Sequence, residues 1–193
     1  AGLSVINAIL SASLLACILV RLRRLGAGAA SSCWVLLASA VIMHQRFLMR
    51  PENVSYLYLA LLALLLDRHL AAESRRVPDP AAGFEAAAAV RRLWPVPLVH
   101  LLWANTQGLF VLGWVVVGTY WVSASVRARR PDRPLALALA ASVLACLANP
   151  YAVTGLLFPF RLLSRFDRSN VFARHVGEFQ PLWKVGGLFE DQV

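Results

Sequence analysis

Arg46 and Arg50 flank Phe47-Leu48-Met49 and are followed by Pro51 and Glu52. A guanidinium grips phosphate through two parallel hydrogen bonds. The pair is therefore a candidate seat for a lipid-linked phosphate or pyrophosphate. Contact with lipid headgroups, or pairing with Glu52, is the plainer use. Asn105-Thr106-Gln107-Gly108 is a second polar corner. Its amides and hydroxyl can hydrogen-bond sugar hydroxyls or simply cap helix ends, and Gly108 allows a tight turn. Asn149-Pro150-Tyr151 is a third corner, and an Asn-Pro pair ends helices. Glu178 lies close to His175. A carboxylate near an imidazole suggests acid–base work, although one such pair in a polar tail is a weak signal. His44 and His100 sit in apolar runs, where a lone histidine more often bonds a neighbouring helix than catalyses.

Other chemistry is missing from the pattern. There is no GxSxG, HExxH, P-loop or paired-Asp motif. Cys17, Cys33 and Cys146 lie in apolar runs without CxxC spacing, and read as small buried hydrophobes. No cofactor motif is evident; a divalent metal stays open.

The elements that must position these corners are set by composition. Of 193 residues, 59% are hydrophobic and 15% charged, with mean hydropathy +0.63. A soluble domain carries about 25% charged residues. The net charge is +9, and every basic residue except Lys184 is arginine. The arginines cluster between long uncharged runs, the charge pattern of a multi-spanning membrane protein. No interleaved aromatic and basic pattern points to nucleic acid. The expected class is all-α: a polytopic transmembrane bundle of about five to six membrane helices plus short interfacial helices.

The runs give the expected spans. Residues 3–20 are uncharged and reach about 27 Å as a helix, just enough for a bilayer core of about 30 Å. Gly26 to Gln45 is the second span, and Asn53 to Leu66 a short third, lengthened by snorkelling of Asp67 and Arg68. Phe84 to Arg92 reads as helix. Residues 93–126 hold no formal charge and are too long for one crossing. We expect a helix over 84–104 bent at Pro95 and Pro97, a turn, and a span over 109–126. The last span runs from Pro134 to near Asn149, and Thr154 to Leu163 is expected as a short interfacial helix. The bundle should occupy 1–164, with a polar non-cytoplasmic tail, the start of a truncated loop, over 165–193. The chain starts at Ala1, and its first apolar run precedes its arginines, the reverse of a signal peptide. A fragment lacking its natural N-terminus is expected.

Short arginine-rich loops lie in the cytoplasm. Loops 21–24, 68–92 and 127–133 fall on one side if the spans alternate. The connections at 46–53, 103–108 and 149–155, with the region around Glu178, then share the other side. Four polar corners on one face could line a common cavity.

The run Arg46-Phe-Leu-Met-Arg-Pro-Glu52 precedes a Leu-rich span ending Leu66-Asp67-Arg68. Together with Leu102-Trp-Ala-Asn-Thr-Gln-Gly-Leu-Phe110, Asn149-Pro-Tyr151 and Glu178-Phe179, it resembles bacterial membrane proteins of the GT-C glycosyltransferase architecture. The resemblance implies a transferase of the bacterial inner (plasma) membrane that uses a polyprenyl-phosphate-linked sugar on the periplasmic side. Membrane lipid and the lipid-linked sugar are its implied partners. Arg46 and Arg50 would hold the lipid phosphate, and Asn105, Gln107, Asn149, Tyr151 and Glu178 the substrate. The family's catalytic Asp would lie before Ala1, so this piece alone is expected to be inactive. Gln107 stands where the relatives commonly have His. The alternatives are a transporter-like protein and a non-enzymatic membrane assembly subunit.

Overall fold

The computed structural model describes residues 2–43, 52–74 and 82–164. Among them are eight α-helices and one 3-10 turn, with no strand. The all-α class holds.

Helix α1 (Gly2–Arg24) extends past the expected span and carries Arg21, Arg23 and Arg24 in its last turn. Cations are favoured there by the helix dipole. Gly26, at φ +77°, makes the turn into α2 (Ala29–Met43). A positive φ is a conformation that glycine adopts without a Cβ penalty. Helix α3 (Glu52–Ser74) runs eight residues beyond the expected Leu66. Asp67, Arg68, His69 and Glu73 are therefore inside it.

The expected single bent helix over 84–104 is two helices: α4 (Ala82–Leu93) and α5 (Pro95–Thr106), parted at Trp94. Pro95 opens α5, a position where its missing N–H is unneeded. The 3-10 turn Gly108–Phe110 leads into α6 (Val111–Ala128). Arg129 ends α6 in the left-handed region at φ 52°. Asp132 caps α7 (Arg133–Ala145) by accepting a hydrogen bond from the Leu135 amide at 3.0 Å. That helix stops four residues short of Asn149. Helix α8 (Ala152–Ser164) follows.

Three helices are long and apolar enough to cross a membrane: Ser4–Arg24, Glu52–Ser74 and Gly108–Ala128. Ala29–Val41, Arg133–Ala145 and Ala152–Arg161 are apolar but shorter. The described residues thus give three full-length candidates, fewer than the five to six expected.

The chain divides into two units, Ala1–Leu156 and Leu157–Val193. In the first, the buried core comes from α3 to α7: Leu62, Leu66, Val96, Trp103, Val117 and Leu135 are at its centre. Buried positions on α5 fall at 96, 99, 100 and 103, one stripe of a 3.6-residue repeat. The outer faces stay apolar and exposed, as at Trp34, Val41, Val115 and Leu144. An apolar surface of that extent suits lipid rather than water. Gly113 allows a close approach of α5 and α3 to α6. A Cβ there would meet His100 Nε2 at 2.5 Å, Trp103 at 2.9 Å and Leu62 at 3.1 Å. Small residues at crossings are how membrane helices pack. The second unit is described as far as Ser164, where it continues α8 with Pro159 inside the helix.

Hydrogen bonds between helices fix their directions. Asn53 donates to Asn7 at 2.8 Å, and Arg21 to Asp67 at 2.8 Å. Helices α1 and α3 therefore run parallel. Ser55 bonds Gln107, and Tyr120 bonds Asp67, so α6 runs parallel to both. His69 meets Asp132, and Asn105 meets the Ala148 carbonyl, so α7 runs the other way. One end of the bundle gathers Arg21 to Arg24, Asp67, His69, Arg92 and Asp132. The opposite end gathers Asn7, Asn53, Ser55, Gln107 and Asn149. The described parts of the three arginine-rich loops are brought to one end, as expected if the spans alternate.

Candidate functional site

The polar end is built around Gln107. The chain leaves α5 at this residue in extended conformation, and its side chain caps the 3-10 turn. Its Oε1 accepts from the Leu109 amide at 2.7 Å and from Ser55 Oγ at 2.8 Å. Ser55 Oγ in turn accepts from the Trp103 indole N–H at 2.9 Å. Trp103 is fully buried, its ring 5.5 Å from that of Tyr58. One oxygen–hydroxyl–indole chain thus ties α3, α5 and the turn together. An indole N–H in an apolar bundle needs such an acceptor.

Asn105 is exposed at the end of α5. Its Nδ2 donates to the Leu101 carbonyl at 2.8 Å and to the Ala148 carbonyl at 3.1 Å. It joins this corner to the next. There, Asn149 organises its own turn. It donates to the Cys146 carbonyl at 2.7 Å and the Ala152 carbonyl at 3.2 Å, and accepts from the Tyr151 amide at 2.7 Å. Its amide packs hard against Gly155, where no Cβ would fit. Tyr151 itself is 74% exposed.

Of the residues singled out in the sequence, Asn105, Gln107, Asn149 and Tyr151 stand at one end of the bundle. Arg46, Arg50 and Glu178, with His44 and His175, lie outside the described residues. The corners at 53–55, 103–108 and 148–151 are joined by hydrogen bonds. The amides of Asn105, Gln107 and Asn149 bond backbone or neighbouring side chains, so their immediate role is to hold these corners in register. His100 is buried, bonds the Val96 carbonyl at 2.9 Å and faces Gly113. The bond stays within α5, so the hydrogen bond to a neighbouring helix expected of this histidine is not made; against α6 its ring packs beside Gly113.

Comparison with protein-family models, curated proteins and solved structures finds no match.

The basic end holds a second polar network that was not singled out in the sequence. Asp67 receives Arg21 Nε at 2.8 Å and the Tyr120 hydroxyl at 2.6 Å, linking α1, α3 and α6. Asp132 faces His69 Nε2 at 3.1 Å and takes the Leu135 amide. Its own amide donates to Ser125. Burial pushes the Asp132 carboxyl up. The His69 and Leu135 hydrogen bonds, with the charges of His69 and Arg130, outweigh this and hold it below the ordinary Asp value. The partners stand 46 to 63 positions apart in the chain. The available signal was the presence of charged residues in an otherwise Leu-rich helix, where ionisable side chains pair. Among the described residues, no group of three His, Cys, Asp or Glu side chains could hold a metal ion.

Proposed function

We propose that the chain is a multi-pass protein of the bacterial inner membrane and part of a glycosyltransferase that takes sugar from a polyprenyl phosphate. In this reading the arginine-rich end is cytoplasmic and transfer occurs at the polar end, in the periplasm. The five to six crossings are α1, α2, α3, the α4–α5 pair, α6 and α7, the shorter ones tilting little or thinning the bilayer.

The observation that carries the reading is the convergence of three polar corners, bonded into one rigid end, opposite the basic loops. Gln107, Asn105 and Asn149 act as its frame. Tyr151 is exposed enough to meet a substrate. Arg46 and Arg50 lead into α3, whose first turn reaches this end, and supply bidentate donors for the lipid phosphate.

Two measurements test it. Reporter fusions should place residue 107 outside and residue 130 inside; the same compartment for both removes the site. In the natural protein, Arg50→Ala should lower transfer from a polyprenyl-phosphate sugar by about a hundredfold, the cost of losing about 3 kcal/mol of a charge-assisted contact. Unchanged transfer overturns the assignment.

One observation favours a second reading, a non-enzymatic assembly subunit. The Gln107 and Asn149 amides are engaged inside the chain. In that case Arg50→Ala and Tyr151→Phe both leave membrane function intact, while Gln107→Ala lowers stability.

A further inference from the structure

At the basic end, α1 presents a shallow groove lined by Leu19, Val20, Arg23 and Arg24. Leu19 and Val20 lie one turn below Arg23 and Arg24, since residues four apart share a helix face. The groove is apolar along the helix and cationic at its rim. Val20 is 42% exposed, and both guanidiniums are exposed.

Among the described residues, the charges at this rim are not neutralised from within. The carboxylates described at this end already have basic partners: Asp67 holds Arg21, Glu73 holds Arg92, and Asp132 holds His69. Arg24 gives one N–H to the Leu64 carbonyl at 3.3 Å, which pins it beside α3 and leaves its other donors outward. The Arg23 guanidinium makes no hydrogen bond or ion pair among the described residues. Two adjacent guanidiniums, one anchored and one free, stand over a strip of aliphatic surface.

We propose that this groove binds an anionic phospholipid, with the phosphate between Arg23 and Arg24 and an acyl chain along Leu19 and Val20. The order of chemistry along the groove matches that of the ligand: anion at the rim, methylenes below. A zwitterionic lipid offers the same chains but a compensated headgroup, so the arginines select against it. The site is at the opposite end from the proposed transferase site and stands independently of it.

The purified full chain in detergent micelles should be titrated with phosphatidylglycerol and with phosphatidylcholine of equal acyl length, and adducts counted by native mass spectrometry. Phosphatidylglycerol should bind about 25-fold more tightly, about fivefold for each of the two arginines near an anionic headgroup. Arg23→Gln should lower that affinity by about fivefold. Adding Arg24→Gln should bring it to the phosphatidylcholine level. Arg127→Gln with Arg129→Gln removes the same charge at the same end and should leave binding as in the wild type. The Arg23 guanidinium has no partner within the described chain, so Arg23→Gln decides the matter if the double variant folds poorly. Equal binding of the two lipids, or equal loss in the Arg127/Arg129 control, overturns the site.

Discussion

At the scale of single residues, Ser55 matters more than its size suggests. Its hydroxyl accepts from Trp103 and donates to Gln107. Ser55→Ala leaves a buried indole N–H without an acceptor. Interhelical hydrogen bonds in membranes average about 0.6 kcal/mol, but an orphaned buried donor costs about 1–3 kcal/mol. The orphan effect dominates, so Ser55→Ala should lower stability by about 1–2 kcal/mol in a denaturing detergent titration. Trp103→Phe removes the donor as well as the bond and should cost less than Trp103→Ala, which opens a cavity worth about 3–5 kcal/mol. Gly113 gives a paired test. Gly113→Ala forces His100, Trp103 or Leu62 aside and should cost about 1–3 kcal/mol. Gly118→Ala on the same helix meets nothing within 4 Å and should be neutral, or stabilise by up to about 1 kcal/mol through helix propensity. Equal effects at the two glycines would show that the close crossing is wrong.

At the scale of elements, Asp132 joins three helices. It caps α7, faces His69 on α3 and bonds Ser125 on α6. Its carboxyl is held below the ordinary Asp value. The ionised form therefore adds stability that is fully present above about pH 3.9, the ordinary Asp value. That stability is lost as pH falls through the lower folded value. Asp132→Asn should flatten this acid loss in a melting series between pH 5 and pH 2, while lowering stability at neutral pH. An unchanged acid limb in the variant would remove Asp132 from the account. The element boundaries show what a linear reading can hold. The turn after Thr106 was legible because Asn-Thr-Gln-Gly combines side-chain caps with a glycine, and the 109–126 span lies within two residues of α6. The end of α3 was not. Asp67 and Arg68 read as the close of a span because the partners of Asp67 and of the next residue, His69, namely Arg21, Tyr120 and Asp132, are distant in sequence. Trp94 parts α4 from α5 without a glycine, and Pro95 fits both a bend and a helix start.

At the scale of the whole molecule, the first unit has two polar ends and an apolar waist. The alternation of uncharged runs with arginine clusters made this legible, because the basic loops could be sorted to one side before any contact was known. The candidate site was only half legible. Asn105, Gln107 and Asn149 stood out by type, yet which of them would be tied to Ser55, Ala148 or the 149–152 turn depends on how helices cross. Asn7, Asn53 and Ser55 carry no motif at all, and their pairing emerges only once α1, α3 and α6 run parallel.

Helix α7 has a bearing on the surrounding lipid. It has 13 residues, bounded by the Asp132 cap and the turn at Cys146. At 1.5 Å per residue it is about 20 Å long, against a hydrocarbon thickness of about 30 Å. Leu137 and Leu144 on its outer face are 60% and 66% exposed. In the proposed setting, acyl chains beside this flank must compress while those beside α3 need not. Such mismatch costs a fraction of a kcal/mol per ångström. Melting temperature should therefore rise as the host lipid is shortened from eighteen-carbon to fourteen-carbon chains. The protein carries a local preference for thin bilayer along this flank, and neighbours that share that preference would tend to collect there.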